Sequence, residues 1–427
     1  MKIVHINKTD AGGGAAVAAL RIHRSLLRAG VDSHILVQEQ KRNAPNEHSA
    51  GSGVWYKMKN FWRFVHERLS ILPNEKDSHM RYNFSIANTG QSLAKNPIVQ
   101  EADIIHLHWI NQGFLSLNNI KELIMLGKPV VWTLHDMWPF TGGCHYSGTC
   151  FEFNEHCGYC PFMRRPKKKD MSYNNFIQKR NIYSQGSISM VTCSKWLGTL
   201  ARSSAALKGV KVTSIPNPID TDFYRPLDRM ECRDELGLPR NKKLILFGAA
   251  NILDIRKGFR YLEEALTIIQ DSFPIISDNI ELVVFGKLDK EWANRFSFTI
   301  HNMNFVSSPE TLVKLYNAAD AFILPSLQDN LPNTVVESLC CGTPVVGFSI
   351  GGIPEMITHM QTGYLAEVKN SLSLANGIYN ILFFSPKQRE FVRECALRMF
   401  SEKTVADKYI ALYNNMLGNV VSDEQQQ

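Results

Sequence analysis

Short apolar runs alternate with helix-like stretches along the whole chain. In the first half the runs that read as strands are Lys2–Ile6, Ser33–Val37, Asp103–Leu107, Pro129–Leu134, Ile188–Cys193 and Lys211–Ile215. In the second half they are Lys243–Gly248, Ile280–Gly286, Asn304–Val306, Ala321–Pro325, Pro344–Phe348 and Gly363–Ala366. Their Val, Ile and Leu content is continuous rather than alternating, the pattern of strands buried on both faces in parallel sheets under helices. The series breaks at Ile215-Pro216-Asn217-Pro218-Ile219-Asp220, where two prolines forbid a continuing helix. The expected architecture is α/β, two doubly wound parallel-sheet domains with a cleft between them. The expected boundaries are an N-terminal domain 1–215, a hinge 216–240, a second domain 241–384, and C-terminal helices and tail 385–427.

Two inserts interrupt this pattern. Residues 39–100 are polar and irregular around one candidate amphipathic helix near 55–70, and residues 136–187 carry Cys-rich and Lys-rich segments. Asp423–Gln427 reads as a solvated tail. No apolar run approaches the ~20 residues that cross a bilayer. MKIVHIN reads as a strand that starts at once, without a signal peptide's apolar core, so a soluble cytoplasmic protein with reduced thiols is expected. The formal charge of +7 conceals an asymmetry. Residues 1–215 hold 27 basic and 14 acidic side chains, whereas 216–427 hold 20 and 26. The basic half favours an anionic partner or surface.

In open parallel sheets ligands sit beyond the carboxyl ends of the strands, so the loops there carry the candidate chemistry. After the first strand comes Asp10-Ala11-Gly12-Gly13-Gly14, opening a helix whose N–H groups suit an anion or sugar substituent. It is not the dinucleotide fingerprint, because Val17 takes the third glycine's place. In residues 324–346 Asp329 and Glu337 stand eight apart, across a strand-end loop and the first turns of a helix that Pro332 helps to start. A carboxylate there can accept from two adjacent hydroxyls, as in a ribose. Asp220-Thr221-Asp222 spells a metal motif but lies in the hinge, where a structural turn is expected.

The block PSLQDNLPNTVVESLCCGTPVV resembles the acidic–x7–Glu signature of retaining nucleotide-sugar glycosyltransferases of family 4, whose fold is GT-B. The Gly-rich first loop, Thr133-Leu134-His135-Asp136, IPNPID, Arg256-Lys257-Gly258 and Gly351-Gly352-Ile353-Pro354-Glu355 follow in the family's order. WTLHDMWPFTGGC with its Cys cluster is similar to colanic acid-type capsular and exopolysaccharide transferases. Two departures stand out. Asp329 occupies the place of a more usual Glu, and the Arg expected several residues before the Lys-Gly pair has no counterpart in 249–255.

The resemblance implies a nucleoside diphosphate sugar donor. Lys257 and Arg256 would hold the leaving diphosphate, and Glu337 the ribose. Asp329, Asn330 and Leu331, with Gly12, Gly13 and Gly14, would hold the rest of the donor. His135 would contact the sugar near the reacting carbon, and the departing phosphate would take the acceptor's proton, with no cofactor required. His108 is a candidate on the acceptor side. His106 and His108 share a strand face, but no third metal ligand is spaced with them.

Cys144-x5-Cys150-x6-Cys157-x2-Cys160 reads either as a structural zinc site or as packing thiols or a disulfide-capable loop. Trp55, Met58, Phe61, Trp62, Val65 and Leu69 recur at helical spacing, which suits either a membrane interface or a core. Arg164, Arg165, Lys167, Lys168 and Lys169 form a cationic run. Together these features favour a lipid-pyrophosphate-linked oligosaccharide acceptor at the inner membrane surface, with no nucleic-acid partner. The alternatives are a GT-B sugar nucleotide epimerase or a non-enzymatic zinc- and polyanion-binding protein.

Overall fold

The computed structural model describes residues 1–77, 81–252, 254–287 and 298–418. Leu253, within the stretch 249–255 that lacks the expected Arg, and the tail Asp423–Gln427 lie outside the described residues. The chain forms two compact units, 1–218 with 405 onward, and 219–404.

The first unit is built on a seven-stranded sheet. Its strands are β1 (Lys2–Thr9), β2 (Asp32–Glu39), β3 (Glu47–Ser49), β4 (Ile104–Leu107), β5 (Val130–Leu134), β6 (Ile188–Thr192) and β7 (Lys211–Ser214). They lie in the order β3-β2-β1-β4-β5-β6-β7 with every pairing parallel. Both faces are covered, as the continuous apolar runs require. On one side Val4, Ile6, Ile105, Leu107 and Trp132 pack with Phe114, Leu123 and Phe176. On the other Ile3, Ile104, Val131 and Val191 meet Ile22 and Leu26 of the helix Gly14–Arg28, and Val405, Tyr409 and Tyr413 of the helix Glu402–Met416.

The insert 39–100 carries a strand and an amphipathic helix, followed by the short helical turns Leu72–Asn74 and Pro97–Glu101. The strand β3 has a wholly polar sequence, Glu-His-Ser, that no apolar pattern marks. It is held by pairing with Ile35–Val37 and by Arg24, whose Nη2 lies 3.2 Å from the buried Glu47 carboxylate. The amphipathic helix spans Val54–Ile71.

The second unit carries β8 (Lys243–Asn251), β9 (Ile280–Lys287), β10 (Ile300–Asn302), β11 (Ala321–Leu324), β12 (Val345–Phe348) and β13 (Gly363–Ala366). Their order is β10-β9-β8-β11-β12-β13, again all parallel. One expectation shifts: the strand placed at Asn304–Val306 is Ile300–Asn302 instead. Asn304 has φ 55° and its N–H donates to the Asn302 side chain, so a turn occupies the place of that strand.

Within 216–240, the helix Arg229–Leu236 belongs to the second unit, and buried Arg233 donates to Asp320 and the Ala318 carbonyl. Asp220 accepts from the N–H groups of Asp222 and Phe223, a local turn. Helix Pro386–Phe400 lies in the second unit, whereas most of Glu402–Met416 packs in the first. The strand order reverses between β1 and β4 in one unit and between β8 and β11 in the other, which is where doubly wound sheets bind ligands.

Candidate functional site

In the second unit the two loops flanking the strand-order reversal carry opposite charges. Lys257 lies in the turn Ile255–Lys257 after β8, and Asp329 in the loop after β11. Lys257 Nζ donates to Asp329 Oδ2 over 2.8 Å, both groups partly open to solvent. Backbone contacts hold the loops in this relation. Leu327 N–H donates to the Arg256 carbonyl, and Gly352 N–H to the Asp329 carbonyl. Gly258 has φ 67°, and a Cβ on it would sit 1.8 Å from the Pro325 carbonyl oxygen. Gly351 has φ 61°, and its Cβ would sit 2.0 Å from the Asp329 carbonyl oxygen. Only glycine permits three loops to close on one another this tightly.

Asn330 and Leu331 are buried behind Asp329. Glu337 sits in the helix Asn333–Cys340, 6% exposed, and its Oε2 accepts from the Tyr316 hydroxyl at 2.9 Å. Burial, reinforced by the Glu337 carboxylate, keeps the Tyr316 phenol well above its ordinary range, so it remains a donor. Arg256 is exposed and pairs with Asp254 at 2.6 Å. The structure thus joins Lys257 directly to Asp329 and gives Glu337 and Arg256 other partners.

In the first unit Gly12 and Gly13 have φ of 82° and 80° and precede the helix that begins at Gly14, all three exposed. Asp10, buried beside them, accepts from the N–H groups of Lys41 and Arg42, tying this loop to the end of β2. His135, after β5, belongs to a histidine chain. Its Nε2 lies 3.3 Å from His108 Nδ1, and His108 Nε2 lies 2.9 Å from His5 Nδ1. His108, expected on the acceptor side, is 2% exposed inside this chain, whereas His135 is only partly buried.

His5 is the ligand-type partner that linear spacing did not reveal. It pairs in register with His106 across β1 and β4, and register is invisible in a single sequence. His106 lies between the Tyr413 hydroxyl and the Thr133 hydroxyl, each 2.7 Å away. Burial pulls these imidazoles down, His135 to about 4, His106 to about 3, and His5 and His108 well below their usual value. At neutral pH the chain is uncharged.

Asp136 extends the site. It accepts from Trp138 N–H and the Trp109 indole N–H, and lies 2.7 Å from His145 Nδ1. Burial pushes its carboxyl up, but the charge and hydrogen bond of His145 and the Trp138 N–H outweigh this and hold it low. Trp109, His145 and Tyr316 carried no signal in the linear pattern.

All nine cysteines are free thiols, and Cys144, Cys150, Cys157 and Cys160 line one small cavity of ≈ 10 Å³. Burial pushes the Cys144 thiol up to about 11 and Cys160 to about 12.

Residues 12–223 match the family model for Glycosyltransferase Family 4, and residues 241–383 the model for glycosyl transferases group 1. WcaC of Escherichia coli K12, whose name places it in colanic acid biosynthesis as a glycosyl transferase, is 23% identical over 97% of this chain and 100% of its own length. The crystal structure of Anabaena HepE in complex with UDP aligns with TM-score 0.62 at 16% identity, over 97% of this chain and 100% of that one. Sucrose-phosphate synthase from Thermosynechococcus elongatus aligns with TM-score 0.63 at 15% identity, over 98% and 100%. Both likenesses are of fold, two parallel-sheet α/β units of the GT-B kind. The chain is a glycosyltransferase of the family 4 type, built on the GT-B fold.

Proposed function

We propose that the protein transfers a hexosyl group, with retention of anomeric configuration, from a nucleoside diphosphate sugar to a lipid-pyrophosphate-linked glycan in surface polysaccharide biosynthesis. The observation that carries this reading is the Lys257–Asp329 pair at the strand-order reversal of the second unit. The pair is part-buried yet reachable, and a diphosphate, with more charge than one carboxylate, can compete with the aspartate for the lysine. Lys257 then meets the charge that develops on the leaving group, where a fixed cation lowers the barrier most. Asp329, released, accepts from sugar hydroxyls together with the Asn330–Leu331 backbone, and Glu337 takes the ribose. The bond from the anomeric carbon to the diphosphate breaks, the bond to the acceptor oxygen forms on the same face, and the acceptor proton leaves with the phosphate. No metal is required. The related HepE fold was solved with UDP and with UDP-glucose, which supports a nucleotide-sugar donor here.

For the acceptor, the first unit has a groove of ≈ 770 Å³ lined by Lys8, Lys41, Lys57, Tyr56, Phe61 and Phe64, among others. Cations for a pyrophosphate stand there beside aromatic faces for sugar rings or lipid. The apolar stripe of the helix Val54–Ile71 is turned outward, with Trp55 74%, Phe61 58% and Trp62 61% exposed, as an interfacial helix requires. The exposed cationic run Arg164–Lys169 is tied to the far end of that helix. Arg164 N–H donates to the Asn74 carbonyl and Lys76 N–H to the Phe162 carbonyl. The basic cluster thus adjoins the C-terminal end of the helix that bears the apolar stripe, which suits an anionic lipid surface at the cytoplasmic side. No helix among the described residues is long and apolar enough to cross a membrane.

The test is a panel of nucleotide sugars offered with undecaprenyl-pyrophosphate-type acceptors. One donor should be consumed only when acceptor is present, giving an α-linked product from an α-linked donor. Donor interconversion without acceptor would overturn the assignment in favour of an epimerase, and inversion at the anomeric carbon would overturn retention.

A further inference from the structure

We propose that Cys144, Cys150, Cys157 and Cys160 bind one zinc ion as a closed structural site. Their side chains come from three separate stretches of the insert 136–187 and line one small void, ≈ 10 Å³ in volume. A void of that size holds about one small sphere, and a water there would need two to four polar partners. Thiols are poor partners for water and good ligands for zinc, which takes four thiolates tetrahedrally in sites of structural type.

Two features of the surroundings would help to hold thiolates around an ion. Gly142 N–H donates to Cys157 Sγ over 3.1 Å, and Gly142 must be glycine, since a Cβ would meet the Cys157 Cβ at 2.8 Å and the Ser172 carbonyl oxygen at 2.5 Å. In Cys157-Gly158-Tyr159-Cys160 the left-handed Tyr159, φ 44°, turns the chain, and both cysteines line the void. Lys179 is fully buried nearby, its ammonium 3.5 Å from the centre of the Trp138 ring and donating to the Thr141 carbonyl. A zinc tetrathiolate carries two negative charges, and a buried ammonium beside it offsets part of that charge.

The sulfurs stand apart. Four thiolates about 2.3 Å from one ion would lie within about 4 Å of each other, whereas no three of these sulfurs gather within 4.8 Å of one another. Zinc would draw them inward into the void they already share. Among the described residues one trio does meet that distance, His5, His106 and His108. Five of its six ring nitrogens have partners, His106 with Thr133 and Tyr413, His5 Nδ1 with His108, and His108 with His135, and His5 Nε2 has none. With both His106 nitrogens and both His108 nitrogens engaged, the trio offers one open nitrogen, and we assign the metal to the sulfurs.

The ion would fasten the insert to the site. Cys144 adjoins His145, which orients Asp136 next to His135. Cys144 and Cys160 also share an apolar cluster with Ile71 at the end of the amphipathic helix and Met163 at the start of the cationic run.

The experiment is elemental analysis of the full chain purified without added metal, with cobalt exchange as a spectroscopic reading. Stoichiometric zinc is expected, and the cobalt form should show the ligand-field and charge-transfer bands of a tetrathiolate. Cys157→Ser with Cys160→Ser should lower bound metal at least tenfold, while His106→Gln keeps it. Should that double variant fail to fold, Cys150→Ser, at the half-buried thiol, gives the same reading. Only a trace of metal, with all four thiols reacting at once with a thiol reagent, overturns the proposal. So does metal retained by the cysteine variants and lost from His106→Gln.

Discussion

Lys257 and Asp329 stand 72 residues apart in sequence and 2.8 Å apart at Nζ and Oδ2. Each follows one of the two strands between which the second sheet reverses its order. Lys257→Ala should lower kcat on the order of 10²–10³-fold, the loss typical of removing one group that stabilises developing negative charge. Thermal stability should change little, because a partly exposed pair contributes about 1 kcal/mol or less. Arg256→Ala should cost less, since Arg256 is exposed and already engaged by Asp254. Steady-state kinetics of the two variants decide the order, and equal losses would make Arg256 an essential phosphate contact.

The glycines around this pair can be tested separately from its charges. Gly351→Ala places a methyl group 2.0 Å from the Asp329 carbonyl oxygen, at a φ that alanine disfavours. The loop must move, so donor affinity should fall tenfold or more in calorimetry while far-ultraviolet circular dichroism stays unchanged. Gly13→Ala meets no neighbour within 4 Å but is strained by its φ of 80°, so it tests backbone strain without a clash.

His108 touches His135 and is itself buried, so if His135 serves catalysis, His108 would act as a positioning residue. His108→Phe should lower kcat on the order of 10²-fold, the scale on which a misplaced group costs rate. KM for the donor should hold, because Lys257 and Glu337 are untouched. A rise in KM with unchanged kcat would show that His108 acts through binding instead.

The buried imidazoles predict acid sensitivity. His5, His23, His106, His108 and His135 are all held below the ordinary imidazole range, chiefly by burial. They are neutral when folded, whereas in the unfolded chain each takes up a proton below about pH 6.5. The unfolded state therefore binds more protons, and stability falls as pH drops from about 6.5 towards 3–4, by up to about 1.4 kcal/mol per pH unit for each histidine. Urea midpoints at about pH 7.5 and about pH 5.5 measure this slope, and His23→Leu should flatten it by one histidine's share. A midpoint independent of pH across this range would refute the neutral chain.

The exposed stripe predicts lipid binding. Trp55→Ser with Trp62→Ser should abolish co-sedimentation with anionic vesicles. Replacing Lys167, Lys168 and Lys169 by Ala should weaken it on the order of 100-fold, at about 1 kcal/mol per cation beside anionic lipid. Vesicle flotation at low and high salt separates the two contributions, because only the cationic part is screened.

The primary structure by itself determined the two parallel sheets, because strands covered on both faces must be apolar throughout, and it marked Asp329 and Glu337 through their loop and spacing and Lys257 through the family resemblance. It also singled out the four cysteines and both halves of the basic, apolar surface. Tertiary structure alone decided which of these meet. Lys257 finds Asp329 because β8 and β11 are neighbours in space, and His5 completes the histidine chain because β1 and β4 pair in one register. Strand β3 forms although its residues are polar, since backbone pairing to β2 and the Arg24 contact stand in for apolar burial. Local pattern records what each segment buries, whereas strand order and register depend on the whole sheet, and neither is encoded in any single stretch of sequence.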